Sequence, residues 1–322
     1  MFMFDDGTKH IDIKNTDDMR YAGYEEILTL TNDSMIDNWN TIFKNKTNKR
    51  QFKKIFIDHV MQICGNHMKE HQCIYFNGTF ENGQVWRAKR LESGYCQLEL
   101  MENLTLSVGE SDVKIFELSQ RLQLDGQQIE ILSLDTDVKM LALYWSTKFS
   151  TEYVIRSGTS LVPAYFYPKI MIDSIKNQWG EVGNIEHYIG NLLFIYGLFG
   201  CDYNPTFYGI SHAFAMRVFE HVNNSRVFNS SNDFLWLILD VYETKNKTLK
   251  KMFFNENERE TFTVDDCILK TRGAIKSVRG SDQQTIPLPS VLRLQIRRTE
   301  LIKQFWTGCY ESYDPSLYGY YR

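Results

Sequence analysis

The sequence predicts an α/β protein, with a mainly parallel central sheet, flanking helices and a helical C-terminal part. In the first half, short runs rich in β-branched and aromatic residues alternate with segments whose apolar residues recur at helical spacing. Beyond about residue 165 the strand-like runs stop and long helical periods take over. A chain of 322 residues that is 43% hydrophobic can bury a substantial core, as one large domain or two ordinary ones.

The strand-like runs are "KKIFIDHV" (53–60), "QCIYFNG" (72–78), "QIEILSLD" (128–135) and "TEYVIRS" (151–157). Helical spacing marks "SDVKIFELSQRL" (111–122) and "DVKMLALYW" (137–145). Strands alternating with helices imply a parallel sheet covered on both faces. The later helices are "YPKIMIDSIKNQW", "IEHYIGNLLFIYGLFG", "GISHAFAMRVFEHV", "DFLWLILDVYETK", "DDCILKTRGAIKSV" and "SVLRLQIRRTELIKQFW". The last carries Arg293, Arg297, Arg298 and Lys303 and reads as amphipathic, while the tail "YESYDPSLYGYYR" has no periodicity. The expected organisation is an N-terminal extension over 1–50, an α/β core over 51–205 and a helical region over 206–322.

The longest apolar stretch, "IGNLLFIYGLFG", is too short to span a bilayer, and "MFMFDDGTKH" lacks a basic region followed by a long apolar one. No membrane partner is expected. The six cysteines form no C-x-x-C pair and no Cys/His cluster at zinc spacing, so they read as reduced thiols of an intracellular protein, nuclear or cytoplasmic. A net charge of −4 argues against a chain coated in phosphate-binding residues but leaves room for a local basic surface. "KNKTNKRQFKK" (44–54) and "KNKTLKK" (245–251) are the basic runs, and either could be a solvated loop.

In a parallel α/β sheet, functional groups collect at the carboxyl ends of the strands. The acids follow that rule in the predicted layout. Asp58 ends "KKIFI", Asp135 and Asp137 end "IEILSL", Glu110 and Asp112 precede the helical period that starts at Val113, and Asp202 terminates the apolar run 192–200. Six clustered carboxylates repel unless cations sit among them, and ligation by oxygen without His or Cys selects hard ions such as Mg²⁺ or Mn²⁺. The competing role for Asp135 and Asp137 is a turn or a helix cap.

The order and local sequences of these acids resemble the FEN/XPG family of 5′ nucleases in the PIN-like superfamily. The resemblance rests on Asp58, "YFNG" with Asn77, "GESD" with Glu110 and Asp112, "DTD" with Asp135 and Asp137, and "GCDYNPTFYGISHAFAMRVF" with Asp202. It covers about residues 53–222, and the E-x-D form is closer to herpesvirus virion host shutoff ribonucleases and metazoan PIN-like proteins than to cellular flap nucleases. The resemblance implies a PIN-like fold and two-metal hydrolysis of DNA or RNA, with Mg²⁺ or Mn²⁺ held by Asp58, Asn77, Glu110, Asp112, Asp135, Asp137 and Asp202. "WRAKR" (86–90) is similar to the family's basic segment at the scissile phosphate, which makes Lys89 and Arg90, then Arg87, the electrophilic candidates. Segment 206–222 is similar to a helix-hairpin-helix, which implies backbone phosphate binding through Gly209, Ile210, Ser211 and His212. A plain helix-turn-helix corner is its alternative.

Two departures matter. Asn77 stands where the family has an Asp, and only 19 residues separate Arg90 from Glu110, too few for the family's helical arch. An open cleft and endonucleolytic attack are therefore expected. The alternative is a catalytically weak or inactive pseudonuclease with a nucleic-acid-docking or structural role, including one in a viral assembly or virion. DNA and RNA are not distinguished.

Overall fold

The computed structural model describes residues 2–3, 27–37, 39–69, 72–77, 84–106, 111–122, 127–159, 161–179, 184–201, 203–223, 228–253 and 256–308. The chain divides into two compact units, the first Met1–Glu130 with Phe149–Glu152, the second Ile131–Lys148 with Tyr153–Arg322.

In the first unit, α1 (Trp39–Lys44) leads into α2 (Lys46–His67), whose start is fixed by Asn45. The Asn45 side chain accepts from the backbone N–H of Thr47 and Asn48, at 2.9 and 3.2 Å, satisfying two donors that the helix itself leaves unpaired. Strands β2 (Cys73–Asn77), β3 (Gln84–Arg90) and β4 (Cys96–Thr105) form an antiparallel meander, and the two-residue β1 (Phe2–Met3) lies parallel to β2. The β3–β4 turn closes through Gly94 at φ 84, a conformation that favours glycine. Helix α3 (Ser111–Arg121) follows. Alternation along the strands makes two cores: Phe76 and Ala88 pack with Ile57 of α2, whereas Val85 and Leu104 pack with Leu118 of α3.

The second unit is helical around one large core. It contains the end of β5 (Gln128–Leu132), α4 (Thr136–Lys148), most of β6 (Glu152–Gly158), β7 (Pro163–Phe166), α5 (Pro168–Trp179) and α6 (Ile185–Leu198). After these come α7 (His212–Asn223), α8 (Ser231–Lys245), α9 (Lys250–Phe253), α10 (Glu256–Thr261), α11 (Val264–Arg279) and α12 (Pro289–Trp306). Every residue of α6 from Tyr188 to Leu198 is buried, so it is the central helix, surrounded by apolar faces of α4, α5, α7, α8, α11 and α12. Capping boxes of Ser230 with Asp233 and Thr263 with Asp266 start α8 and α11. Strands β5, β6 and β7 form a small sheet in that order, with β6 and β7 antiparallel. The bonds Glu152 N to Gln127 O and Ser133 N to Arg156 O advance in the same direction along β5 and β6, so that pair is parallel.

This architecture overturns the expected mainly parallel central sheet with flanking helices. Helices dominate, both sheets are small, and the parallel pairs among the described residues are β5 with β6, joined through α4, and the two-residue β1 with β2. Two misreadings account for the difference. Segment 53–60 lies inside the 22-residue helix α2, because Ile57, Val60, Met61 and Cys64 continue a helical period that a short apolar run does not disclose. Strands β3 and β4, which the sequence reading passed over, join β2 through local hairpins, and local hairpins give antiparallel pairing. Among the described residues no helix is long and apolar enough to cross a membrane.

Candidate metal and nucleic-acid site

The acids that close β5 are arranged by short-range hydrogen bonds. Ser133 Oγ accepts from the Asp135 N–H at 3.1 Å, and Asp135 Oδ1 accepts from the Asp137 N–H at 3.0 Å, which makes Asp135 the N-cap of α4. Asp137, in the first turn and half-buried, accepts at Oδ1 from the hydroxyl of Tyr196 at 2.5 Å. Tyr196 is buried on α6, and its pKa is raised well above the ordinary phenol value. Burial is the largest cause, followed by the hydrogen bond and charge of Asp137, with Asp135 and Cys201 adding to it. Its ring stacks on His212 at 4.6 Å and 23°, and lies 6.2 Å from Trp306.

His212 opens α7, and its Nε2 meets the carbonyl of Gly200. His212 thus joins the Gly200 end of the 199–212 connection to Tyr196, and Tyr196 joins it to Asp137. Buried polar groups of α12 hold that connection. Gln295 Nε2 donates to Leu198 O and Pro205 O, each at 2.9 Å, and Asn204 Nδ2 donates to Thr299 Oγ1 at 2.8 Å and Gly197 O at 3.1 Å. Gly200 sits at φ 124, where a Cβ would come 2.4 Å from Thr206 Cγ2.

The hairpin tip follows the same logic. Gly209 has φ 62, Ile210 is buried, and Ser211 Oγ accepts from the Phe214 N–H at 3.2 Å. Lys245 of α8 donates to Tyr208 O at 2.7 Å, and burial together with the charge of Arg279 holds its ammonium below the usual lysine range. Gly209, Ile210 and Ser211 line an open cavity of about 740 Å³ with Phe214, Arg217, Lys245 and Lys247. An adjoining cavity of about 570 Å³ shares Arg217 and Lys247 and ends at Asp240 and Glu243, which flank Arg259.

The remaining candidates, Asp202 excepted, belong to the first unit. Asp58 is exposed in the middle of α2 and ends no strand, and Asp112 lies in the first turn of α3. Asn77 closes β2, with its side chain outside the described residues. Glu110 and Asp202 also lie outside the described residues. On β3, Arg87 Nε and Lys89 Nζ reach Glu99 of β4 at 2.5 and 2.7 Å. Lys89 first, then Arg87, holds the Glu99 carboxyl below the usual range. Arg90 points to the other face and donates to Met68 O at 2.7 Å, at the end of α2.

Among the described residues, no three His, Cys, Asp or Glu side chains gather as a metal site. Asp135 and Asp137 supply two carboxylates of the oxygen-only kind that hard divalent ions select, and they therefore fit such an ion in donor chemistry. Sequence reasoning missed Tyr196, hidden in an apolar run, and Gln295 and Thr299, whose i, i+4 polar spacing on α12 was the available signal. It also read Lys245 and Lys247 only as part of a charge run.

Neither protein-family models, curated proteins nor solved structures give a match to this chain.

Proposed function

We propose that this chain is a metal-dependent nuclease acting on DNA or RNA, with Asp135 and Asp137 as ligands and the Gly209–His212 hairpin as the backbone-binding element. One observation carries the reading: Tyr196 bonds Asp137 through its hydroxyl and stacks on His212 through its ring, tying the acid pair to the hairpin. The sequence adds Asp202 to the same connection, as a third expected ligand. A bound Mg²⁺ or Mn²⁺ supplies charge neutralisation at the phosphodiester and acidifies water. The chain's own part is to fix the carboxylates, through the Asp135 cap and the Tyr196 bond, and to present the Gly209–His212 turn to phosphates with Arg217, Lys245 and Lys247 nearby; the Ile210 N–H is already bonded to Phe207 O at 3.1 Å and takes no part.

Asp135, Asp137, Tyr196 and the Gly209–His212 turn all belong to the second unit, and none of them requires a large parallel sheet. A docking protein without turnover is the second reading. It is favoured by the engagement of Arg87 and Lys89 with Glu99, which occupies two of the cations expected at a scissile phosphate.

The test is cleavage of labelled single-stranded and duplex DNA and RNA in Mn²⁺ or Mg²⁺, with EDTA as control. Metal-dependent products from the parent, lost in Asp135→Asn/Asp137→Asn, are expected. Binding without cleavage under every condition would leave the docking reading.

A further inference from the structure

We propose that the outer face of the β5–β6–β7 sheet is a stacking platform for unpaired nucleotides, centred on Tyr165 and Tyr167. The proposal rests on the nuclease reading for its purpose, and on the sheet register for its geometry. The bond from Ser133 N to Arg156 O places Leu132 opposite Arg156 in the parallel pair, and Arg156 in turn pairs with Tyr165. Leu132, Arg156 and Tyr165 thus form one row on one face. The adjacent row, Ile131, Ile155 and Phe166, faces the core: Ile131 and Ile155 are buried and Phe166 packs against the main cluster.

The outer row is open. Leu132 is 77% exposed, Tyr165 47% and Tyr167 41%, and the two tyrosine rings are stacked with centroids 6.3 Å apart at 29°. Arg156 is half-buried in the middle of the row, and Lys169 is exposed on the first turn of α5, two residues after Tyr167. Neighbouring exposed rings flanked by cations suit base faces and the phosphates that join them. Duplex bases hide those faces, so the occupant is a single strand. The platform also has a direction, because β5 leaves Leu132 and reaches the Asp135 cap three residues later. A strand lying on the tyrosines is led towards the acid pair.

The experiment is anisotropy of labelled oligothymidylate, oligouridylate and a blunt DNA duplex with the full chain in excess EDTA. The variants are Tyr165→Ala/Tyr167→Ala and Tyr165→Phe/Tyr167→Phe. The alanine pair should weaken single-strand binding by about tenfold or more, since stacking accounts for roughly fivefold to a hundredfold per base. Duplex binding should stay within about twofold, and the phenylalanine pair should restore the parent affinity. Parent-like single-strand binding by the alanine pair, an equal loss for duplex, or a parent that binds no single strand would each overturn the platform. Cleavage in Mn²⁺ is scored separately. A parent that binds through the tyrosines and cuts nothing leaves the platform and removes the nuclease, whereas a parent that cuts with tyrosine-independent binding removes the platform alone.

Discussion

Replacing Tyr196 by Phe removes one hydroxyl and keeps the ring that packs on His212 and Trp306. The lost bond runs to a carboxylate at 2.5 Å, and hydrogen bonds to charged groups contribute about 1.5–3 kcal/mol. Asp137 is half-buried, so water replaces part of the interaction and the expected loss lies near the lower end, about 1.5 kcal/mol. With a urea slope of about 3 kcal/mol/M, the unfolding midpoint falls by about 0.5 M. The partner change Asp137→Asn keeps an acceptor oxygen but removes the charge. A double-mutant cycle over Tyr196→Phe and Asp137→Asn should then give a coupling of about 1 kcal/mol. Urea titrations of the four proteins measure it. Parent-like stability of Tyr196→Phe, or a coupling near zero, would show that this bond does not hold Asp137 in place.

Three further expectations follow from the same unit. Gly200→Ala places a Cβ against the backbone and side chain of Thr206 at φ 124 and should cost about 3 kcal/mol, while Gly209→Ala meets only the movable Lys245 ammonium and should cost about 1–2 kcal/mol; thermal unfolding that ranks them the other way contradicts this account of the hairpin. Arg259→Leu leaves Asp240 and Glu243, with side chains 11% and 12% exposed, without their guanidinium, so a loss of about 3–5 kcal/mol is expected in the same assay, and a loss under about 1 kcal/mol would refute it. Burial raises the phenols of Tyr188, Tyr196 and Tyr242 above the ordinary 10.0, Tyr188 to about 12. The folded chain then keeps protons that the unfolded chain releases, so this contribution to stability is complete below about pH 10 and is lost as pH rises towards 12 and beyond. Phenolate absorbance should show these three tyrosines ionising together with alkaline unfolding, and their titration in the folded protein near pH 10 would contradict it.

Long periodic segments were legible in the sequence because an apolar stripe repeated over about two and a half turns or more favours a helix. That is why 111–122, 137–145 and the later helices fall close to α3, α4 and α5–α8 with α11 and α12. The short run 53–60 was ambiguous, and its helix was written in the residues on either side: the Asn45 cap and the apolar positions continuing to Met68. Strand β3, "QVWRAKR", hid its alternation behind three cations, two of which are matched by Glu99 across the sheet. The acid pair alone fits a helix cap as well as a metal site, and it drew notice through the order of the other acids along the chain. What locks it was not visible, since Tyr196 lies within a buried run and its hydroxyl reaches Asp137 from 59 residues away. A pairing that distant is set by tertiary packing and leaves no local signal.

The most direct test of the central claim is Mn²⁺ binding to the full chain, followed by water proton relaxation, in the parent and in Asp135→Asn/Asp137→Asn. Saturable binding in the parent that weakens at least about tenfold in the double variant is predicted, because each substitution removes a negative charge and leaves a neutral amide oxygen as the weaker donor. Binding of equal strength in both proteins, or none in the parent, would contradict the assignment of Asp135 and Asp137 as metal ligands.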